Sequence, residues 1–234
     1  RRRHTRSFHV TGVQTCALPI CVTRTKSRPL ASGELTRSQA FVLLALLLAA
    51  AGLLLVFLNP LTRWLAPIAM ALAALYPFAK RFIHIPQAIL GIAFGWGTIM
   101  AWTATRNTVE PQAWIVFAAT VVWAIAYDTI YAVQDQEDDR RIGVKSSALL
   151  FGSALWIAVG LALGTMLVLL VLAGRLAEIG WAYYLALGAV GIFFAVQSAA
   201  LRNRVDPPQA FRMFQAHVWA GAAILAGLVA GFLL

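Results

Sequence analysis

Residues 127–141, Tyr-Asp-Thr-Ile-Tyr-Ala-Val-Gln-Asp-Gln-Glu-Asp-Asp-Arg-Arg, carry a cluster of carboxylates directly out of an apolar run long enough to cross a bilayer. If one helix continues past Tyr131, then Asp128, Asp135 and Asp139 share a face, because steps of seven and four residues return to the same side. Three acids on one stripe repel each other unless a cation sits among them. Ligands that are all oxygen favour a hard divalent ion such as Mg²⁺, which commonly binds together with a substrate phosphate. The alternative is a solvated loop in which Asp138, Asp139, Arg140 and Arg141 neutralise one another. That alternative does not cover Asp128, which lies inside the apolar run. An ionisable group there costs roughly 2.5–3.5 kcal/mol on insertion scales and marks a functional position.

The elements that must hold these acids are membrane helices. Apolar residues make up 61% of the chain and charged residues 12%, against about 45–50% and about 25% in ordinary globular domains. Seven weakly charged runs approach or reach the length of a spanning helix: about 40–58, 64–79, 86–104, 113–131, 148–173, 181–201 and 217–234. The second is short and contains Pro67 and Pro77, so it is read as kinked or tilted. In lipid, backbone polar groups must be satisfied within the segment, so the fold class is an all-α polytopic transmembrane bundle. Asn59-Pro60, residues 105–112 and residues 174–180 form turns at one end. Residues 80–85 and 202–212 form turns at the other, the latter stiffened by Pro207-Pro208. The glycines at 91, 95 and 97 are read mainly as sites of close helix packing.

Charge sets the orientation. Arg24, Lys26, Arg28, Arg37, Lys80, Arg81, Arg140, Arg141, Lys145, Arg202, Arg204 and Arg212 fall on one side, and Arg63, Arg106 and Arg175 on the other. The richer side is cytoplasmic by the positive-inside rule, and the acids are on it. The basic balance therefore reads as membrane topology, and nucleic-acid binding is not expected.

Residues 10–20 look like the translation of a sequencing-library adapter, and the chain begins without methionine. Residues 1–21 are therefore read as a non-native segment and 22–234 as the membrane domain. Without Arg1, Arg2, Arg3 and Arg6 the formal charge falls from +10 to +6. Cys16 and Cys21 are the only cysteines and lie in the excluded segment. His84 and His217 stand at the ends of predicted helices and are read as ordinary interfacial residues. Trp96, Trp102, Trp123, Tyr127 and Tyr131 are read first as interfacial aromatics and second as faces able to stabilise a carbocation. Tyr76 and Lys80, four apart on a helix, can turn a phenol and an ammonium towards one anion.

Three blocks together, Arg-Thr-Lys-Ser-Arg-Pro-Leu-Ala-Ser-Gly at 24–33, Tyr-Pro-Phe-Ala-Lys-Arg at 76–81 and Tyr-Asp-Thr to Lys-Ser at 127–146, resemble the intramembrane aromatic prenyltransferases. The likeness runs from about residue 22 to 234 and is greatest to the bacterial 4-hydroxybenzoate polyprenyltransferases of ubiquinone biosynthesis. Tyr-Asp-Thr-x-Tyr-Ala, Asp-x-x-x-Asp and Ile-Gly-x-Lys-Ser in that order make the likeness specific. It implies nine helices in the intact family, of which about seven are present here, and two Asp-rich motifs. The first motif would stand just before Val22, where the adapter-like segment lies, so this chain is expected to be inactive by itself.

The resemblance also implies site roles. Asp135 and Asp139 become ligands of Mg²⁺. Tyr76, Lys80, Arg81, Tyr131, Lys145 and Arg28 become substrate-binding residues, with Tyr76 and Lys80 on the diphosphate and Arg81 on the aromatic carboxylate. Asp128, Asp135 and Arg81 become the catalytic candidates; whether Asp128 or Asp135 acts on the phenol stays open. The implied reaction transfers a polyprenyl group from its diphosphate to the ring of 4-hydroxybenzoate, at the cytoplasmic side of a bacterial inner membrane. A naphthoate, homogentisate or porphyrin acceptor is the alternative within the family. A transporter is the alternative outside it, disfavoured because the acids gather at one membrane face and no inverted repeat is visible.

Overall fold

A computed structural model describes residues 27–82, 85–143 and 145–234, the side chains of 78–82 and 142 excepted. The proposed boundary at residues 21 and 22 lies outside the described residues. Among these residues ten α-helices follow in order: α1 Pro29–Ser32, α2 Arg37–Val56, α3 Pro60–Phe82, α4 Pro86–Arg106, α5 Pro111–Ala132, α6 Gln136–Ile142, α7 Ser147–Phe151, α8 Leu155–Leu176, α9 Trp181–Ala200 and α10 Pro207–Leu233. Single 3₁₀ turns join α5 to α6 at Val133–Asp135 and α7 to α8 at Gly152–Ala154. No strand occurs among the described residues. Among the described residues seven helices are long, and six segments are long and apolar enough to span a membrane. The exception is α3, which has Pro67 and Pro77 inside it. The protein is a multi-pass membrane protein.

Local chemistry explains the boundaries. Thr36 and Gln39 form a reciprocal capping box at the start of α2. Proline occupies the first turn of α4, α5 and α10, where its missing N–H costs nothing. Asn107 ends α4 in the left-handed conformation, and Gly143 ends α6 in the same way. Asn59 caps α3 by accepting from the Thr62 amide at 3.0 Å, and its own amide donates to the Thr103 and Ala104 carbonyls of α4. That clamp ties the α2–α3 turn to the far end of α4.

Two of the predicted spans change. The last helix starts at Pro207, ten residues before the predicted 217, because Asp206 caps it by accepting from the Gln209 amide at 2.7 Å. Pro207-Pro208 thus opens a helix instead of stiffening a loop. The span predicted over 148–173 is interrupted at Gly152, whose φ of +48° suits glycine, and resumes as α8 through Leu176.

Helices α4 and α5 pack closely through glycine. A Cβ on Gly91 would lie 2.7 Å from the Val121 carbonyl oxygen, and one on Gly95 would lie 2.9 Å from the Phe117 ring. Gly97 faces open space, so its neighbours carry the packing role. Gly227 and Gly231 of α10 serve likewise against Ala186, Ile179 and Tyr183. The core lies among α5, α8, α9 and α10, where Ile130, Val159, Leu163, Met166, Val190 and Phe194 are buried. Exposed leucines and phenylalanines surround α2, as expected of a helix that meets lipid.

Candidate functional site

The acid cluster does not ride on one continuous helix. α5 ends at Ala132, the 3₁₀ turn intervenes, and Asp135 becomes the residue preceding α6, with φ −99° and ψ 4°. The tighter 3₁₀ winding breaks the seven-residue step that would have set Asp128 above Asp135. The three acids therefore do not lie on one unbroken α-helix, and they form no three-carboxylate metal group among the described residues. The four-residue step from Asp135 to Asp139 survives within the first turns of α6. Both carboxylates are turned inward: Asp135 is 6% exposed and Asp139 2%, whereas Glu137, Arg140 and Arg141 are exposed. Arg141 pairs with Glu137 at 2.6 Å. The solvated-loop alternative over Asp138, Asp139, Arg140 and Arg141 fits the two exposed arginines and fails for Asp139, which is buried; Asp138 is half-buried.

Neighbouring contacts hold this turn in place. Gln136 Nε2 donates to the Ala148 carbonyl at 3.0 Å, and the Thr129 and Ser147 hydroxyls share a buried hydrogen bond of 2.8 Å. Ser146 caps α7 through the Leu149 amide. Lys145, half-buried, stands immediately before these anchors. A cleft of about 720 Å³ opens beside the turn, bounded by Gln134, Glu137, Asp138, Arg202, Arg204 and Asp206. It places the α9–α10 connection at the same end of the bundle as the acids.

Asp128 is half-buried in α5. Tyr76 of α3 has Asp128 and Tyr131 as electrostatic neighbours, and Tyr127 has Asp128 and Tyr76. The structure therefore brings Tyr76, Tyr127, Asp128 and Tyr131 together. Lys80 and Arg81 lie on the last turns of α3, and their side chains fall outside the described residues. Arg28 is exposed just ahead of α1.

The predicted aromatic belt divides. Trp96 donates to the Leu65 carbonyl and meets Trp114 and Phe117 edge-on. Trp102 lies at the end of α4 remote from the acids. Trp123, Tyr127 and Tyr131 recur at every fourth position of α5 and interleave with Phe211, Phe214 and His217 at every third position of α10. Tyr131 and Phe214 are 4.7 Å apart, Tyr127 and Phe214 5.8 Å, and Tyr127 and His217 5.9 Å.

His217 corrects the sequence reading. It sits inside α10, 6% exposed, and is not interfacial. Trp123 Nε1 donates to His217 Nδ1 at 2.8 Å, which leaves Nε2 to donate to Gln197 Oε1 at 2.8 Å. Gln197 Nε2 then donates to the Met213 carbonyl at 2.9 Å. The chain of donors fixes a neutral imidazole and one tautomer. The available signal was the Asp206-Pro207-Pro208 helix start, which moves residue 217 three turns into a helix. Below this network lies an apolar cavity of about 390 Å³, running from Trp123 past Met166, Leu170, Tyr183 and Ile224 to Phe232 at the opposite end.

The donor set at Asp135 and Asp139 suits a hard cation. No group of three or more His, Cys, Asp or Glu that could enclose a metal occurs among the described residues. Two inward carboxylates without a complete protein cage are what Mg²⁺ uses when substrate phosphates and water supply its remaining ligands. The residues present fit that ion.

Similarity to known proteins agrees with this geometry. The sequence profile of the UbiA prenyltransferase family matches residues 20–233. A 4-hydroxybenzoate octaprenyltransferase of Pseudomonas aeruginosa is 44% identical over 213 residues, covering 91% of this chain and 72% of the relative. The protein of the same name from Hahella chejuensis is 44% identical, covering 91% of this chain and 70% of the relative. Among solved structures, the apo form of a UbiA homolog from Aeropyrum pernix K1 superposes with a TM-score of 0.77 at 23% identity, over 91% of this chain and 79% of that one. A structure of digeranylgeranylglyceryl phosphate synthase superposes with a TM-score of 0.68 at 20% identity, over 89% and 75%. Profile, relatives and backbone converge on one assignment: this chain belongs to the UbiA prenyltransferase family.

Proposed function

We propose that the protein transfers a polyprenyl group from polyprenyl diphosphate to the ring carbon ortho to the hydroxyl of 4-hydroxybenzoate. The observation that carries this reading is the inward-facing pair Asp135 and Asp139, which follows the helix end that bears Asp128 and its tyrosine neighbours. The relatives that share 44% identity bear the acceptor in their name. In this reading Asp135 and Asp139 hold Mg²⁺ at the diphosphate, and Lys80 and Tyr76 contact its oxygens. Bound Mg²⁺ supplies electrostatic stabilisation of the charge that builds on the leaving diphosphate. The bond between the allylic C1 and the diphosphate oxygen breaks, and its electron pair leaves with the diphosphate. The new bond forms between C1 and the ring carbon, and the ring proton then passes to solvent water, which restores the aromatic ring. Asp128 orients the phenol, Arg81 receives the acceptor carboxylate, and the faces of Tyr127 and Tyr131 shield the allylic cation. The apolar cavity below Trp123 accepts isoprenoid units. Arg28 and Lys145 contribute positive charge around the diphosphate.

The test is an assay of membranes from cells that express the full-length protein, with Mg²⁺, 4-hydroxybenzoate and a long-chain prenyl diphosphate. Prenylated 4-hydroxybenzoate is expected, with product lost on chelation of Mg²⁺ and restored by its return. Turnover of a dihydroxynaphthoate or homogentisate in its place would assign the alternative acceptor.

The same reading places the acid-bearing end in the cytoplasm of a bacterial inner membrane. Single cysteines at the exposed positions Asn203 and Glu178, in a cysteine-free background, report on the two ends. A membrane-impermeant maleimide is expected to label Glu178→Cys in intact spheroplasts and Asn203→Cys only after permeabilisation. The reverse pattern would overturn the orientation drawn from the Lys and Arg distribution.

A further inference from the structure

Gln87 is the second residue of α4 and is 1% exposed, yet among the described residues its Oε1 is buried without a hydrogen-bond partner. A buried orphan acceptor is rare, because it has given up its water and gained nothing. In lipid surroundings the loss is larger still. A leucine or methionine of similar size would remove that cost, so the amide needs another explanation.

The packing of α4 against α5 shows where Gln87 stands. Gly91 abuts Val121 and Ala124, and Gly95 abuts Phe117, so the two helices run antiparallel, four residues against four. Gln87 lies one turn from Gly91 towards the acid-bearing end. One turn from Ala124 in the same direction are Tyr127 and Asp128. The amide is therefore level with Asp128, where α3 also arrives with Tyr76, an electrostatic neighbour of Asp128. By this register it stands on α4 at the level of the carboxylate already assigned to the phenol.

We propose that Gln87 is a specificity-determining contact whose side-chain amide hydrogen-bonds the ring hydroxyl of the aromatic acceptor. The proposal rests on the acceptor assignment above and deepens it. A carboxamide suits this task in either protonation state of the hydroxyl. Its oxygen accepts from a phenol, and after a flip its NH₂ donates to a phenolate. A site that offers a buried polar partner to a hydroxyl also rejects rings that lack one, because the partner is then left unpaired.

The experiment uses Gln87→Leu and Gln87→Met in the full-length protein. Three quantities are measured: the KM for 4-hydroxybenzoate, the KM for the prenyl diphosphate, and the thermal unfolding midpoint in detergent. Both variants are expected to raise the acceptor KM by roughly ten- to a hundredfold, as for one lost buried hydrogen bond. The donor KM should stay unchanged, and the unfolding midpoint should hold or rise. Inhibition by benzoate, which lacks the hydroxyl, should not weaken in the variants, so its gap from 4-hydroxybenzoate narrows. An unchanged acceptor KM would overturn the proposal, as would a parallel loss of both KM values and of stability, which is the mark of a purely structural glutamine. Wild-type protein that fails to prenylate 4-hydroxybenzoate would overturn the acceptor assignment and this proposal with it. Normal wild-type turnover with an unaltered variant ratio would overturn Gln87 alone.

Discussion

Asp135→Ala and Asp139→Ala, made separately in the full-length protein, are each expected to abolish measurable prenyl transfer while leaving the protein folded in the membrane. If each carboxylate supplies about 4 kcal/mol of charge stabilisation through the metal, its loss slows turnover by about a thousandfold. Asp135→Asn and Asp139→Asn keep the shape of the side chain and remove its charge. They should fail nearly as badly, which separates metal holding from packing. Folding is checked by detergent extraction and the thermal midpoint of each variant. The exposed Glu137→Ala, two residues from Asp135, serves as the control and should retain near-normal rates, because its partner Arg141 is itself exposed. Near-normal turnover in both alanine variants would return these acids to the status of a solvated turn, and the proposed metal site would be withdrawn.

The legible and illegible parts of this protein divide along physical lines. Long apolar runs specify membrane helices almost by themselves, because lipid leaves the backbone no other way to satisfy its polar groups. The seven long helices accordingly appear near their expected places. Boundaries are legible where the apolar run ends in a polar turn, as at residues 105–112, and misleading where proline has two meanings. Pro207-Pro208 reads equally as a stiff loop or a helix start. The side chain of Asp206 decides between them, and that decision moved His217 from the membrane surface to the interior.

The site divides in the same manner. The i to i+4 spacing of Asp135 and Asp139 is local, so both face inward together as that spacing predicts. Asp128 was joined to them only by assuming a continuous helix; a single 3₁₀ turn interrupts that helix, and Asp128 stands among tyrosines from α3 and α5. The electrostatic proximity of Tyr76 to Asp128 spans two helices, and the Trp123–His217–Gln197 network spans three. No periodicity within one segment carries such information. The glycines were different: Gly91 and Gly95 announced a close helix approach, and the register they impose is what puts Gln87 level with Asp128.

His217→Leu is the second substitution expected to have a large effect, and for a different reason. It removes the acceptor of Trp123 Nε1 and the donor to Gln197 Oε1 in one step, leaving both partners buried. An unsatisfied buried group costs about 1–3 kcal/mol, so the pair should lower stability by several kcal/mol. Turnover should fall as well, because Trp123 heads the apolar cavity and His217 packs against Tyr127, beside Asp128. The double variant His217→Leu/Gln197→Leu removes one of the two stranded groups. It should be more stable than His217→Leu, a non-additivity that independent sites would not show. Adding Trp123→Phe should recover more, since the indole N–H is then gone too. Thermal midpoints and prenyl-transfer rates of the single, double and triple variants decide the matter. If His217→Leu matches the wild type in both, the three side chains do not act as one network, and the aromatic wall under Asp128 is held by ring packing alone.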